Sequence, residues 1–240
     1  VNEAEARAME PALAARPRAF VGAIFSPQEE VGDPFLFCAA MRDVLARDYG
    51  VTFRLGATVK AMAQDVGDGT ARLTLDDGET LSAEHVVICA GIAARALLGS
   101  LAVKSPLLGM KGYSFNAPPG EAAPLHSITD VARKLVFCQL GDRIRIAGRA
   151  ELGGRGSDFS PSRMAALKAQ AEQSLPGAAD YRQASEGWAG IRPMSPNSLP
   201  DIRRIGPCLS INVGHGMLGW TFAMGSAERI AHAIFQGAEA

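Results

Sequence analysis

Hydrophobic positions along this 240-residue chain change period several times, and each change marks an element. From Pro34 onward Leu36, Phe37, Ala40, Met41, Val44 and Leu45 recur at spacings of three and four, which predicts a helix with one apolar face. Asp33 stands at its cap, Pro34 is pre-set for its first turn, and Gly50 stops it. Val51–Leu55 reads as a short strand joined tightly to that helix, as in α/β crossover units. Thr58–Met62 and Ala71–Leu75 alternate in period two. Asp76–Asp77–Gly78 turns the chain before Glu79–Leu81, so a small antiparallel meander is expected. His85–Gly91 is almost continuously apolar, the pattern of a strand covered on both faces, and Ala93–Leu101 restarts a helix.

After Gly109 the texture shifts to longer strands. Met110–Phe115, Leu135–Leu140 and Arg143–Ala147 form this set, the last two joined across Gly141–Asp142. A helix over Ser162–Leu175 follows Ser160–Pro161, and Trp188–Met194 is a strand that stops at prolines. Ser210–Val213 is a last strand, expected to return to the first sheet. It runs through glycines into a helix whose buried face is expected at Trp220, Ala223, Met224, Ala227, Ile230, Ala231 and Ile234, with Gly237 as the stop. The pattern predicts a mixed α/β fold, in which a partly parallel, Rossmann-like sheet is accompanied by a mainly antiparallel one. The domain boundaries are expected at 1–105 with 195–240 for the first sheet, and 106–194 for the second.

With 48% hydrophobic residues the chain can bury a sizeable core. A net charge of −1, with Lys and Arg spread evenly, excludes the basic footprint of a nucleic-acid binder. No apolar run approaches the roughly 18 residues of a membrane span, and Val1–Arg16 lacks the basic-then-apolar order of a secretion signal, so the expectation is a cytoplasmic protein. Cys38, Cys89, Cys138 and Cys208 are far apart, and Cys38 and Cys89 lie in apolar runs. Buried free thiols are expected, and no cluster at ligand spacing predicts a metal.

The most informative chemistry lies at Gly214–His215–Gly216–Met217–Leu218–Gly219–Trp220–Thr221, between the last strand and helix. Its glycines allow positive φ and close backbone approach to a flat ligand, while the first amides of the following helix have no partner inside it. Such a terminus, carrying on the order of half an elementary charge, suits a phosphate or a reduced flavin ring. The same spacing also occurs in turns that exist for packing alone.

Taken in order, Glu30–Asp33, Gly50–Arg54, Val86–Gly91, Lys111–Ser114, Arg143–Gly148, Trp188–Met194 and Gly214–Thr221 resemble the D-amino acid dehydrogenase small-subunit family, within the D-amino acid oxidase-like flavoproteins, over about residues 10 to 236. The resemblance implies FAD as cofactor and oxidation of a D-amino acid, with hydride passing from Cα to flavin N5 and the imino acid hydrolysing to a 2-oxo acid and ammonia. In that frame Arg192, set rigidly between Ile191 and Pro193, offers a planar fork of donors for the substrate carboxylate. Tyr113 is assigned a substrate-lining role and Lys111 a place near the flavin ring, since period two puts both on one strand face. Val59, Ala90 and Gly91 are assigned to the cofactor, Val59 through backbone contact with the adenine half. Residues 214–221 are assigned to the flavin, with His215 shaping the turn. His126 is placed in a loop that could cap the cavity, and His85 and His232 are read as structural.

The family opens with a strand, a GxGxxG turn and a helix that hold the FAD pyrophosphate, and no such segment stands in these residues. Gly153–Gly154–Arg155–Gly156 has the wrong spacing. The chain is therefore read as a family member lacking its N-terminal portion, whose incomplete sheet would need a partner chain to cover it. The resemblance also implies a quinone as electron acceptor and a peripheral position at the inner membrane. Two alternatives remain at this stage: a glycine- or sarcosine-type amine oxidase of the same fold, and a catalytically silent remnant or accessory subunit without flavin.

Overall fold

The computed structural model describes residues 1–65, 67–153, 158 and 160–235. Two short helices that the sequence reading missed come first, α1 (Glu3–Met9) and α2 (Pro11–Ala14). Asn2 accepts the Glu5 amide while Glu5 accepts that of Asn2, a reciprocal cap, and Glu10 caps α2. Helix α3 (Pro34–Tyr49) begins as expected, with the Phe35 amide on Asp33 at 2.9 Å, and Gly50 follows it at φ +65°. Its expected apolar face is not buried, and Leu36 is exposed. Residues 51–55 are not a strand. Val51, Phe53 and Leu55 are exposed, and without a neighbouring ladder their alternation cannot form one.

The meander is present as β1 (Val59–Asp65), β2 (Thr70–Leu75) and β3 (Thr80–Ala83), all antiparallel. After β4 (Val86–Ile88), a single 3₁₀ turn leads into α4 (Ala94–Ser100). Then come β5 (Leu108–Ala117), β6 (Ile128–Asp130), β7 (Leu135–Leu140), β8 (Arg143–Leu152), α5 (Pro161–Ser174), β9 (Trp188–Met194), β10 (Asp201–Arg204), β11 (Leu209–Val213) and α6 (Gly219–Phe235). Of these, β6 and β10 were not predicted. Gly237 and most of Gly153–Gly156 lie outside the described residues.

Two compact units divide the chain, residues 1–39 with 111–190 and residues 40–110 with 191–240. The first unit carries most of a five-stranded sheet in the order β6-β7-β8-β5-β9, the antiparallel layer expected from the sequence. Tyr113, Phe115, Phe137, Ile144 and Ile146 are buried with Met164 and Leu167 of α5. Residues 1–39 fall in this unit rather than with the parallel sheet, because Ala6, Ala12 and Leu13 join that core and Asp33 pairs with Arg143.

In the second unit β11 pairs parallel with β4 and antiparallel with β10, so the last strand does return to the first sheet. Ile88, Leu98, Leu107, Ile211 and Val213 form its core. On α6 the buried residues are Ser226 and Ile230, whereas Trp220, Met224, Ala227 and Ala231 are exposed, correcting the expected face. The helical period was read rightly, but the covered side includes a serine that a hydrophobicity pattern cannot select. The cysteine expectation is also corrected. Cys38 and Cys89 are exposed, Cys138 is half-buried and only Cys208 is buried. No helix among the described residues is long and apolar enough to cross a membrane.

Candidate functional site

Strand β11 ends at Val213, and the chain turns at once through Gly214 at φ +84°, His215, and Gly216 at φ +55°. A Cβ on Gly214 would lie 3.2 Å from Leu107 Cδ2 and 3.4 Å from Ser195 Cβ, so both space and dihedral call for glycine. The Gly216 amide donates to the Pro193 carbonyl at 3.0 Å, and His215 forms an isolated bridge with Met194. The turn is thus bonded to the end of β9. The residue before Pro193 is Arg192. Its side chain is half-buried, and among the described residues it has no hydrogen bond or ion pair. Burial alone pulls its pKa below the usual guanidinium value.

Beyond the turn, Leu218 donates to His215 and Phe222 to Leu218, which starts α6. The amides of Met217, Gly219 and Thr221 donate to no described group. These donors and the dipole of a 17-residue helix create a partly positive end beside the turn. The Gly216 amide, by contrast, is used internally. His215 Nε2 lies 2.9 Å from Ser226 Oγ, and burial lowers the imidazole pKa, so the neutral ring serves the turn rather than standing free as an acid or base. Two buried atoms near this junction, Ser195 Oγ and Asn212 Oδ1, have no hydrogen-bond partner.

Ala90 and Gly91 follow β4, and Gly214 follows β11. Because the two strands are parallel neighbours, with Ile88 opposite Ile211, both segments leave the sheet at its carboxyl end. That end is where open α/β sheets bind ligands. Ala90 is exposed, and Gly91 at φ +55° has open space where a Cβ would stand. Val59 opens β1 and packs half-buried against the same core. Residues Val59, Ala90, Gly91, Arg192 and 214–221 therefore all belong to one unit.

Tyr113 and Lys111 belong to the other. Tyr113 is 1% exposed, and its hydroxyl donates to Glu151 at 2.9 Å; Glu151 also pairs with Arg163. Lys111 is 8% exposed and donates to the Asp158 carbonyl at 2.7 Å. Tyr113 packs in the core with Met164 and Leu167 of α5. The opposite face of the sheet carries Asn116, Arg145 and Trp188, with the Arg145 guanidinium 4.6 Å above the Trp188 ring and Nε donating to Asn116. His126 lies in the loop before β6. Its ring nitrogen and amide both lie 2.9 Å from the buried Glu10 carboxylate, just before β6. Sequence reasoning missed Ser195, Asn212 and Ser226, which no periodicity or motif singles out.

A family model described as FAD dependent oxidoreductase, DAO, matches residues 1–233. A D-amino acid dehydrogenase of Rhizobium johnstonii is 38% identical over 234 residues, covering 95% of this chain and 54% of the relative. A D-amino acid dehydrogenase 2 of Pseudomonas aeruginosa is 37% identical, covering 98% and 56%. The chain thus spans about half the length of the curated relatives it matches. Among solved structures, glycine oxidase from Geobacillus kaustophilus superposes with TM-score 0.82 at 23% identity, covering 100% of this chain and 63% of that one. L-proline dehydrogenase from P. horikoshii gives 0.82 at 18% identity, covering 99% and 64%.

Proposed function

This chain belongs to the DAO family of FAD-dependent oxidoreductases, and from that premise we propose that the whole protein oxidises D-amino acids to 2-oxo acids and ammonia. The observation that supports this most is the bond from the Gly216 amide to the Pro193 carbonyl, which ties the glycine-lined turn to the strand residue next to Arg192, whose half-buried guanidinium has no partner among the described residues. A flavin and an amino acid together need those two features side by side: amides for electron-rich ring oxygens, and a bidentate donor for a carboxylate.

The residues fit such a cofactor on three counts. Met217, Gly219 and Thr221 offer amides without acceptors, Gly219 has no neighbour nearer than His215 Cβ at 3.6 Å to its missing Cβ, and Gly91 is open. Residues 217–221 would hold the ring oxygens, with Ala90–Gly91 and Val59 along the cofactor's length. FAD, when bound, accepts the hydride released from the substrate Cα. Arg192 holds the substrate carboxylate and thereby fixes which Cα bond points at the cofactor, an orienting role worth several powers of ten in rate when the geometry is right. His215, favoured as the neutral ring by burial and bonded to Ser226, is assigned to shaping the turn. The substrate amine therefore enters in its neutral form, selected by pH.

The exposed Trp220 and Met224 of α6 support further polypeptide packing on this unit, and a quinone is the proposed electron acceptor. Purification of the full-length protein with a flavin absorbance band, and dye reduction with D-alanine exceeding that with L-alanine, is the expected result. Faster turnover of sarcosine or glycine than of any D-amino acid would move the assignment to a secondary-amine substrate with the same clamp. A colourless full-length protein would overturn it.

A further inference from the structure

Ser226 lies on the second turn of α6, 5% exposed, among residues that carry no chemistry of their own. Three elements meet on it. Its Oγ is 2.9 Å from His215 Nε2 in the turn, and its carbonyl accepts from Asn212 Nδ2 of β11 at 3.5 Å. Residues 212, 215 and 226 therefore tie strand, turn and helix together across the two glycines with positive φ.

The alternatives for His215 narrow on chemical grounds. An imidazole flanked by glycines has no neighbouring side chain in the sequence to orient it, and beyond the main-chain bonds to Met194 and Pro193 a fixed ring further narrows the freedom of the Gly214–Gly216 backbone. The serine hydroxyl fixes the ring by one hydrogen bond, and burial keeps it neutral, so the hydroxyl and Nε2 can share a single proton without a charge to solvate. With the ring held, the Gly216 amide stays on Pro193 and the Leu218 amide on His215, so the amides of Met217, Gly219 and Thr221 keep their places without a described acceptor.

We propose that Ser226 is a positioning residue for the flavin-facing turn, acting through His215. The proposal rests on the reading that this turn receives FAD. It concerns a residue that touches neither substrate nor cofactor, and it predicts a thermodynamic signature that simple packing lacks. If the serine acts through the imidazole, removing either partner should do the same damage, and removing both should do no more.

The test is a double-mutant cycle in the full-length protein, read by FAD dissociation constant from the recovery of flavin fluorescence. Ser226→Ala and His215→Ala should each weaken FAD by about tenfold, the double variant should match either single one, and Ser226→Thr should restore most of the loss. Multiplied effects in the double variant, or no restoration by threonine, would overturn the proposal. If Ser226→Ala does not fold, the nitrogen shifts of His215 in the unaltered protein decide. One neutral tautomer from pH 6 to 8 supports the bond, and an even mixture of tautomers overturns it. A full-length protein that binds no FAD overturns both this proposal and the reading beneath it, whereas a normal flavoprotein with an additive cycle overturns this one alone.

Discussion

In the unit built on the five-stranded sheet, two buried carboxylates have several partners each, although Arg149 Nε is buried there without one among the described residues. Asp130 accepts from Ser174 Oγ at 2.7 Å and from Arg133, and pairs with Arg16 at 3.2 Å, while Glu10 receives the amides of Ala12, Leu125 and His126. In the unit built on the parallel pair, Arg192 is half-buried with no acceptor among the described residues, and the amides of Met217, Gly219 and Thr221 donate to no described group. Desolvating a cation without a counter-charge is unfavourable, so such an arrangement persists where a ligand supplies the charge. The comparison separates polar residues that stabilise the fold from those left for chemistry. It also explains why Tyr113 and Lys111, chemically eligible, are committed to the core.

The largest effect expected from breaking this contrast is in the closed unit. Asp130→Ala leaves two arginines without their carboxylate and should cost about 3–5 kcal/mol in urea unfolding. A loss below 1 kcal/mol would mean that the network is not coupled. Arg192→Ala should do the reverse. In the full-length enzyme it should raise KM for a D-amino acid at least ~30-fold, the loss of one charged hydrogen-bonded contact, while stability moves by no more than about 0.5 kcal/mol. An unchanged KM removes the carboxylate assignment.

Smaller effects sharpen the comparison. A Cβ at Gly148 would lie 2.6 Å from Leu135 Cδ2 and 2.8 Å from Leu167 Cδ1, so Gly148→Ala should overpack the first core by about 1–3 kcal/mol. Gly216→Ala, at φ +55° and 3.1 Å from Met194 Sδ, should cost about 1–2 kcal/mol in strain and weaken flavin binding besides.

The pH dependence should show one step in the acid range and one nearer neutrality. Burial pushes the Asp130 carboxyl up, but the Ser174 hydroxyl, the Arg133 amide and guanidinium, and the Arg16 charge outweigh it and hold the pKa below the ordinary value. Its contribution is present above the unfolded value near ~4 and is lost as pH falls through the lowered folded-state value. His215 is lowered by burial, and His85 by burial and the Arg204 charge, so their contribution is present above the unfolded value near ~6.5 and declines as pH falls toward the folded values. Asp130→Asn should abolish the lower step in a thermal unfolding series and leave the upper one.

Much of the architecture was readable from local patterns. The period-two runs of β1 to β3, the Gly141–Asp142 turn between β7 and β8, and the Asp33–Pro34 start of α3 all depend on neighbours a few residues away. Reading failed where the deciding neighbour was remote. Val51–Leu55 alternates like a strand but has no ladder, and β6 is too short for its pattern to stand out from a loop. At the candidate site, the glycine turn and Arg192 were visible as residue types, whereas Ser226, Ser195 and Asn212 carry no pattern at all.

Periodicity and punctuation determined by themselves most of the longer helices and strands, and that a glycine turn joins the last pair, because backbone sterics and side-chain alternation act over a few residues. Only the tertiary structure decided that the Tyr113 face of β5 is core, that Ser226 faces His215, and that Arg192 is left without an acid. Burial and pairing are set by groups distant in the chain. A side chain's chemistry is therefore written in the sequence, while its availability is written in the packing.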